Sequence, residues 1–266
     1  MLSREHKIYY TLRIAIAMCF IGHGAFGIIT KQIWCNYFGV FGIGTELSYT
    51  LMPIVGMSDI LLGLAILFYP SRFIPVWLVF WGLITAFCRP LSGEPFAEVI
   101  ERAGNYGAPF ALLFLAGLPI TTKNLFGPIY APAELSEKRM KQLTWILRII
   151  VFLLLAGHGW LNLIQKQGLL DQYARLGFSS PVQVAQFIGA AEILAAFAVL
   201  IRPVAPLVIA LFVWKMASEI FYPHYAVFEW IERGGSYGCL LALWFAIKSH
   251  ELLREPLSPA GGSTLA

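Results

Sequence analysis

The sequence predicts an all-α integral membrane protein: eight transmembrane helices arranged as two tandem four-helix bundles in parallel repeat. Three observations carry that expectation. The 266 residues are 58% hydrophobic and only 13% charged, against about 45–50% and about 25% in soluble domains. Apolar runs of helical length recur eight times. The second half of the chain also repeats the motif order of the first. The composition excludes a soluble globular enzyme, a disordered tail and a nucleic-acid-binding module.

The runs fall at 8–30, 49–69, 73–90, 106–120, 144–164, 182–201, 204–222 and 237–249. A spanning helix needs about 20 mostly apolar residues, so eight spans leave room for tails and short loops only. β-branched residues and strict alternation do not dominate the runs, which favours helix over strand. A helix also satisfies its own backbone polar groups in lipid. The first span follows Arg4 and Lys7 like a signal peptide, but it is too long for cleavage and it recurs later in the chain. Pro70-Ser71-Arg72 separates the second and third spans, and Ile201-Arg202-Pro203 the sixth and seventh. Asn105 and Ser236 stand where N-caps of the fourth and eighth spans belong. The expected domains are 1–120, a cytoplasmic linker 121–143 with Glu134, Glu137, Lys138, Arg139 and Lys141, a second repeat 144–249, and a flexible tail 250–266.

The repeat is detailed. Leu12-Arg13-Ile14 leads to Gly22-His23-Gly24, and Leu147-Arg148-Ile149 to Gly157-His158-Gly159. Asp59-Ile60-Leu61 matches Glu192-Ile193-Leu194, Arg72 matches Arg202, Trp81 matches Trp214, and Pro90 matches Pro223. The stretch Glu98–Gly107 matches Glu229–Gly238 at seven of ten positions. Four spans return each half to its starting side, so the halves are expected to share one orientation about an axis along the membrane normal. The side of the termini and linker carries ten basic residues: Arg4, Lys7, Arg72, Lys123, Lys138, Arg139, Lys141, Arg202, Lys248 and Arg254. The other side carries six: Lys31, Arg89, Arg102, Lys166, Arg175 and Arg233. Both termini are therefore expected in the cytoplasm, with the protein in the plasma (inner) membrane if the cell is bacterial.

Four cysteines, Cys19, Cys35, Cys88 and Cys239, form no CxxC pair and no zinc spacing. Cys19 and Cys239 read as core or lipid-facing residues. Cys35 and Cys88 fall on one side, where a disulfide is an alternative to two free thiols.

Six of the 34 charged residues fall inside spans: Arg13, Asp59, Arg148, Glu192, Lys215 and Glu219. A charge at mid-bilayer costs about 2.5–3.5 kcal/mol on insertion scales, so each needs a reason. Arg13 and Arg148 lie near span ends and can snorkel. Asp59 and Glu192 are either structural carboxyls, neutral or paired, or proton-handling or ligand-binding acids. His23 and His158 are either packed histidines bonded to a neighbour such as the mid-span acid, or a quinone-binding or proton-relay site. A haem held by both would need them in one bundle, whereas the repeat puts them in two. Glu98 and Arg102, like Glu229 and Arg233, are spaced i, i+4 in the favourable acid-first order. They form a structural elbow, or else they set Arg102 and Arg233 as an outer-face anion site. Lys215 and Glu219 have no counterpart in the first half and read as a local packing lock. The Tyr222-Pro223-His224-Tyr225 turn adds to that asymmetry.

The pattern resembles the DoxX-like family of small four-helix membrane proteins, as a tandem duplication. The resemblance rests on Arg13 to Gly27 and Arg148 to Gly159, on the acid-led spans Asp59 to Arg72 and Glu192 to Arg202, and on the turn Phe221–His224 before an Asn- or Ser-opened last span. The first half departs from it with Arg89-Pro90 in place of that histidine. The resemblance implies redox-linked membrane work: a quinone- or thiol-linked oxidoreductase subunit with a quinone as cofactor and a redox partner protein. A small-solute transporter and a non-catalytic scaffold or assembly factor are the alternatives. The expected partner in every case is the lipid bilayer, not nucleic acid.

Overall fold

A computed structural model describes residues 2–118, 121–221 and 227–252. It is helical, with an isolated bridge between Ser71 and Pro128 but no strand among the described residues. Helix α1 (Arg4–Ile28) is N-capped by Ser3, whose hydroxyl accepts from the His6 amide. Then come α2 (Trp34–Gly39), α3 (Thr45–Phe68), α4 (Phe73–Leu91), α5 (Ala97–Glu101), α6 (Ala103–Ala116) and α7 (Thr122–Leu125). The second half holds α8 (Glu137–Leu163), α9 (Gln167–Arg175), α10 (Pro181–Ile201), α11 (Ala205–Ile220), α12 (Val227–Glu232) and α13 (Gly234–Leu252).

Among the described residues, five helices are long and apolar enough to cross a membrane: α1, α3, α4, α8 and α10. Helices α6 and α13 are shorter but apolar. The outer faces of α3 and α10 carry Ile54, Leu61, Phe187 and Leu194, all exposed. A surface helix in water would present polar residues there, so these faces suit a lipid bilayer.

Helices α1 and α8 form the centre. Helix α1 packs against α3, α6, α12 and α13, and α8 against α10, α13, α5 and α6. Helices α6 and α13 also touch each other, while α4 lies on α6 and α11 on α13. Leu12, Ile16, Leu112, Leu147, Leu154, Leu240 and Leu243 fill the core between them. One exchange matters for function: the short α12, late in the chain, roofs α1, and the short α5, from the first half, roofs α8.

Several local expectations change. The fold begins α8 at Glu137 rather than at residue 144, because Ser136 accepts from the Arg139 amide and Met140 and Leu143 are already buried. Asn105 and Ser236 are not N-caps; they lie in the first turns of α6 and α13. Arg102 alone joins α5 to α6, and the Asn105 amide donates to the Arg102 carbonyl at 2.9 Å. The Ser236 amide does the same to Arg233, so backbone bonds close a junction where a side-chain cap was expected. All four cysteines are free thiols, and no Cys35–Cys88 disulfide forms. His224 and the tail from residue 253 lie outside the described residues.

The two arginines inside spans have one role. Arg13 Nε donates to the Ile66 carbonyl at 2.9 Å, and its Nη2 donates to that of Leu67. Arg148 donates likewise to the Val199, Leu200 and Ile201 carbonyls. Each guanidinium thus closes the C-terminal end of the next long helix, where carbonyls lack partners and the helix dipole favours a cation. Arg13→Met is expected to lower stability by about 1.5–3 kcal/mol, the usual worth of hydrogen bonds to a charged group. Faster amide exchange at the end of α3, but not at the end of α10, would check it.

Candidate functional site: two buried histidine–carboxylate pairs

The Gly-His-Gly motifs sit where three helices converge. A side chain at Gly22 would collide with the backbone of α12 at Glu232, and one at Gly24 with the backbone of α3 at Gly56. Asp59 lies one turn along from Gly56 on the same face of α3. The close approach of α1 and α3 therefore brings His23 against Asp59, with Nδ1 2.7 Å from Oδ2. The second half repeats this. Gly157 meets the backbone of α5 at Glu101, and Gly159 meets α10 at Gly189 and Ile193. Glu192 follows one turn after Gly189, and His158 Nδ1 lies 2.5 Å from Glu192 Oε2. Asp59 and Glu192 are 1% and 3% exposed. An ionised carboxylate only accepts, so the shared proton sits on Nδ1. That leaves each Nε2 for another partner.

The surroundings of the pairs differ. His23 packs on Trp34, ring centroids 4.8 Å apart. His158 is buttressed by Asn162, whose side-chain carbonyl accepts from Tyr173 at 2.7 Å. Trp214 Nε1 donates to Glu192 Oε1 at 3.3 Å. Its repeat counterpart, Trp81 Nε1, is buried without a partner.

Each histidine lines a cavity. The first, of about 80 Å³, is walled by Trp34, Tyr37, Phe38, Trp81 and Arg102 beside His23. The second, of about 360 Å³, is walled by Gln172, Tyr173, Phe178, Trp214 and Glu219 beside His158. A third, of about 270 Å³, is polar and lies between the halves. His23 borders the first and third cavities, and Glu219 the second and third.

Ion pairs surround the third cavity. Arg102 Nη1 donates to Glu98 and, at 2.8 Å, to Glu101. Lys166 Nζ lies 2.5 Å from Glu98, and Arg89 lies 3.1 Å from Glu94. Arg233 pairs with Glu101 and, at 3.7 Å, with Glu219, which also holds Lys215 at 3.1 Å. Lys166–Glu98, Arg233–Glu101 and Lys31–Glu229 each tie one half to the other. The expected i, i+4 pair of Glu98 and Arg102 forms, whereas Glu229 instead meets Lys31. Burial alone would raise the Glu98 and Glu101 carboxyls. The cations outweigh it, chiefly Arg102 and Lys166 on Glu98 and Arg233 and Arg102 on Glu101, and hold both at about 2. Glu232 is held low in the same way by Arg233 and Arg102 against its burial.

Seven carboxylates (Asp59, Glu94, Glu98, Glu101, Glu192, Glu219, Glu232) thus share this interior with five fixed cations (Arg89, Arg102, Lys166, Lys215, Arg233). Carboxylates therefore outnumber fixed cations around it, and Arg102 and Arg233 reach the third cavity already paired with acids.

Among the described residues, no cluster of three or more His, Cys, Asp or Glu side chains is arranged to hold a metal ion. Sequence reasoning paired the motifs but did not single out Glu101, Glu232, Trp34, Lys31 or Lys166. The repeat carried a signal for Glu101 and Glu232, since both are identical within the ten-residue match. Comparison with protein-family models, with curated proteins and with solved structures returned no match.

Proposed function

We propose that the chain is a DoxX-like membrane protein of eight spans in two parallel four-helix repeats, acting as a quinone-binding oxidoreductase subunit. In this reading α6, α11 and α13 complete the spans, and both termini face the cytoplasm of a plasma (inner) membrane. The matched pairing of α1 with α12 and α8 with α5 supports the repeat. One observation carries the function: a histidine held by a buried carboxylate stands on the wall of an aromatic cavity inside the apolar bundle, and it does so twice. A planar, lipid-borne ring with polar oxygens suits such a cavity, since apolar walls with a few placed polar groups are the usual form of a small-molecule site.

The fit is chemical as well as steric. When bound, a quinone supplies two-electron, two-proton chemistry, with electrons exchanged through a redox partner protein. The chain's own residues position the ring and handle the proton. Imidazole Nε2 faces the ligand, and the carboxylate on Nδ1 fixes the tautomer and stabilises the imidazolium that forms on taking a proton. Trp214 orients Glu192, and Tyr173 with Asn162 holds His158 in place.

Binding of 2,3-dimethoxy-5-methyl-1,4-benzoquinone to the detergent-purified protein tests this reading by calorimetry. Saturable binding at two sites is expected; His158→Ala and Glu192→Gln should each weaken the second site at least about tenfold, since each removes a hydrogen bond to a charged group, and leave the first site in place. No binding to the wild type, together with variants that only lower the melting temperature, would move the protein to the scaffold reading.

A further inference from the structure

We infer that the two cavities are not equivalent, and that the first selects the oxidised, carbonyl form of the ring. This rests on the quinone reading and assigns a redox form to one of its two sites. The observation is a pair of buried donors without partners: Trp81 Nε1 and Arg102 Nε. Both residues line the first cavity, together with His23. Arg102 is 7% exposed, and its Nη1 is already taken by Glu98 and Glu101. A buried donor left unmade costs about 1–3 kcal/mol, so two on residues of one cavity wall favour a ligand oxygen with free lone pairs.

A quinone carbonyl has two lone pairs and no proton of its own to place. A hydroquinone hydroxyl would add a donor of its own against these two. The volume of about 80 Å³ suits a ring edge carrying one oxygen. An oxyanion would also accept from both donors. It would, however, add a charge beside Glu232 as well as Arg89 and Arg102, in an interior where carboxylates outnumber fixed cations. The neutral carbonyl carries no such penalty. The second cavity lacks the device, because the equivalent indole of Trp214 is spent on Glu192.

The test uses the full-length protein carrying His158→Ala, which disables the second cavity, with Trp81→Phe added to remove one donor while keeping an aromatic wall. The probe is 2,3-dimethoxy-5-methyl-1,4-benzoquinone and its reduced form, titrated separately by calorimetry. The oxidised form is expected to bind about tenfold more tightly than the reduced form, and Trp81→Phe to erase that preference. Equal affinity for both forms, an unchanged preference in Trp81→Phe, or binding to wild type but not to His158→Ala would each overturn the assignment while leaving the quinone reading standing. Displacement of the quinone by millimolar sulfate would overturn it in favour of an oxyanion. Failure of either form to bind even the wild type removes both readings together. Trp214→Phe in the wild-type background controls for loss of any indole, and a loss of preference there would also count against the first cavity.

Discussion

Gly157→Val is expected to remove about 3 kcal/mol or more of stability. The side chain would enter space held by the Glu101 backbone of α5. Overpacking a core usually costs about 1–3 kcal/mol because neighbouring side chains can shift, but here the obstacle is main chain. The strain also falls on a helix that carries Glu98 and Glu101 into the ion-pair network. Gly22→Val, against the backbone of α12 at Glu232, should behave alike. Gly39→Ala is the control, since nothing lies within 4 Å of its added carbon. Thermal unfolding in mild detergent should separate the three. Equal melting temperatures would show that the short helices do not press on α1 and α8 as described.

The second large effect is electrostatic. Glu101 is 3% exposed and receives Arg102 from its own half and Arg233 from the other. Glu101→Ala leaves the buried Arg102 and the half-buried Arg233 short of a carboxylate, and breaking a buried pair from one side costs about 3–5 kcal/mol. The same network sets the acid limit. Glu98 and Glu101 are held at about 2, below the ordinary 4.5. Their contribution is complete above pH 4.5, where even the unfolded chain is ionised, and is lost as pH falls toward 2. The melting temperature should therefore change little from neutrality down to about pH 4.5 and fall steeply below it. Glu101→Gln should flatten that fall. A wild-type curve level to pH 2 would contradict the assignment of these pairs.

The all-helical, membrane-suited character of the fold was legible in the sequence because lipid imposes a simple rule: long apolar helices, with charge at the ends. The equivalence of His23 with His158, and of Asp59 with Glu192, followed from motif order alone. What the sequence hid was partnership. Glu98 and Glu101 sit in a five-residue helix, and nothing local says that Lys166 and Arg233 will reach them from the far half of the chain. The difference between Trp81 and Trp214 was equally hidden. Both are tryptophans at matched positions, but only Trp214 finds a carboxylate within reach, and Glu192 is one methylene longer than Asp59. Helix starts were misjudged where a polar first turn preceded the apolar stripe, as at Glu137, because composition registers lipid contact and not the hydrogen-bonded end of a helix.

The crossing of α5 onto α8 and of α12 onto α1 has a consequence for how such a molecule could arise. A chain ending near residue 120 would leave α1 with a bare glycine groove at its histidine, and α5 with no helix to cover. Both defects vanish if two copies trade their short helices. A gene encoding one half would therefore be obliged to make a homodimer with two identical sites. On the repeat reading, holding both halves in one chain releases that symmetry, so that one indole binds a carboxylate while its twin keeps its hydrogen free.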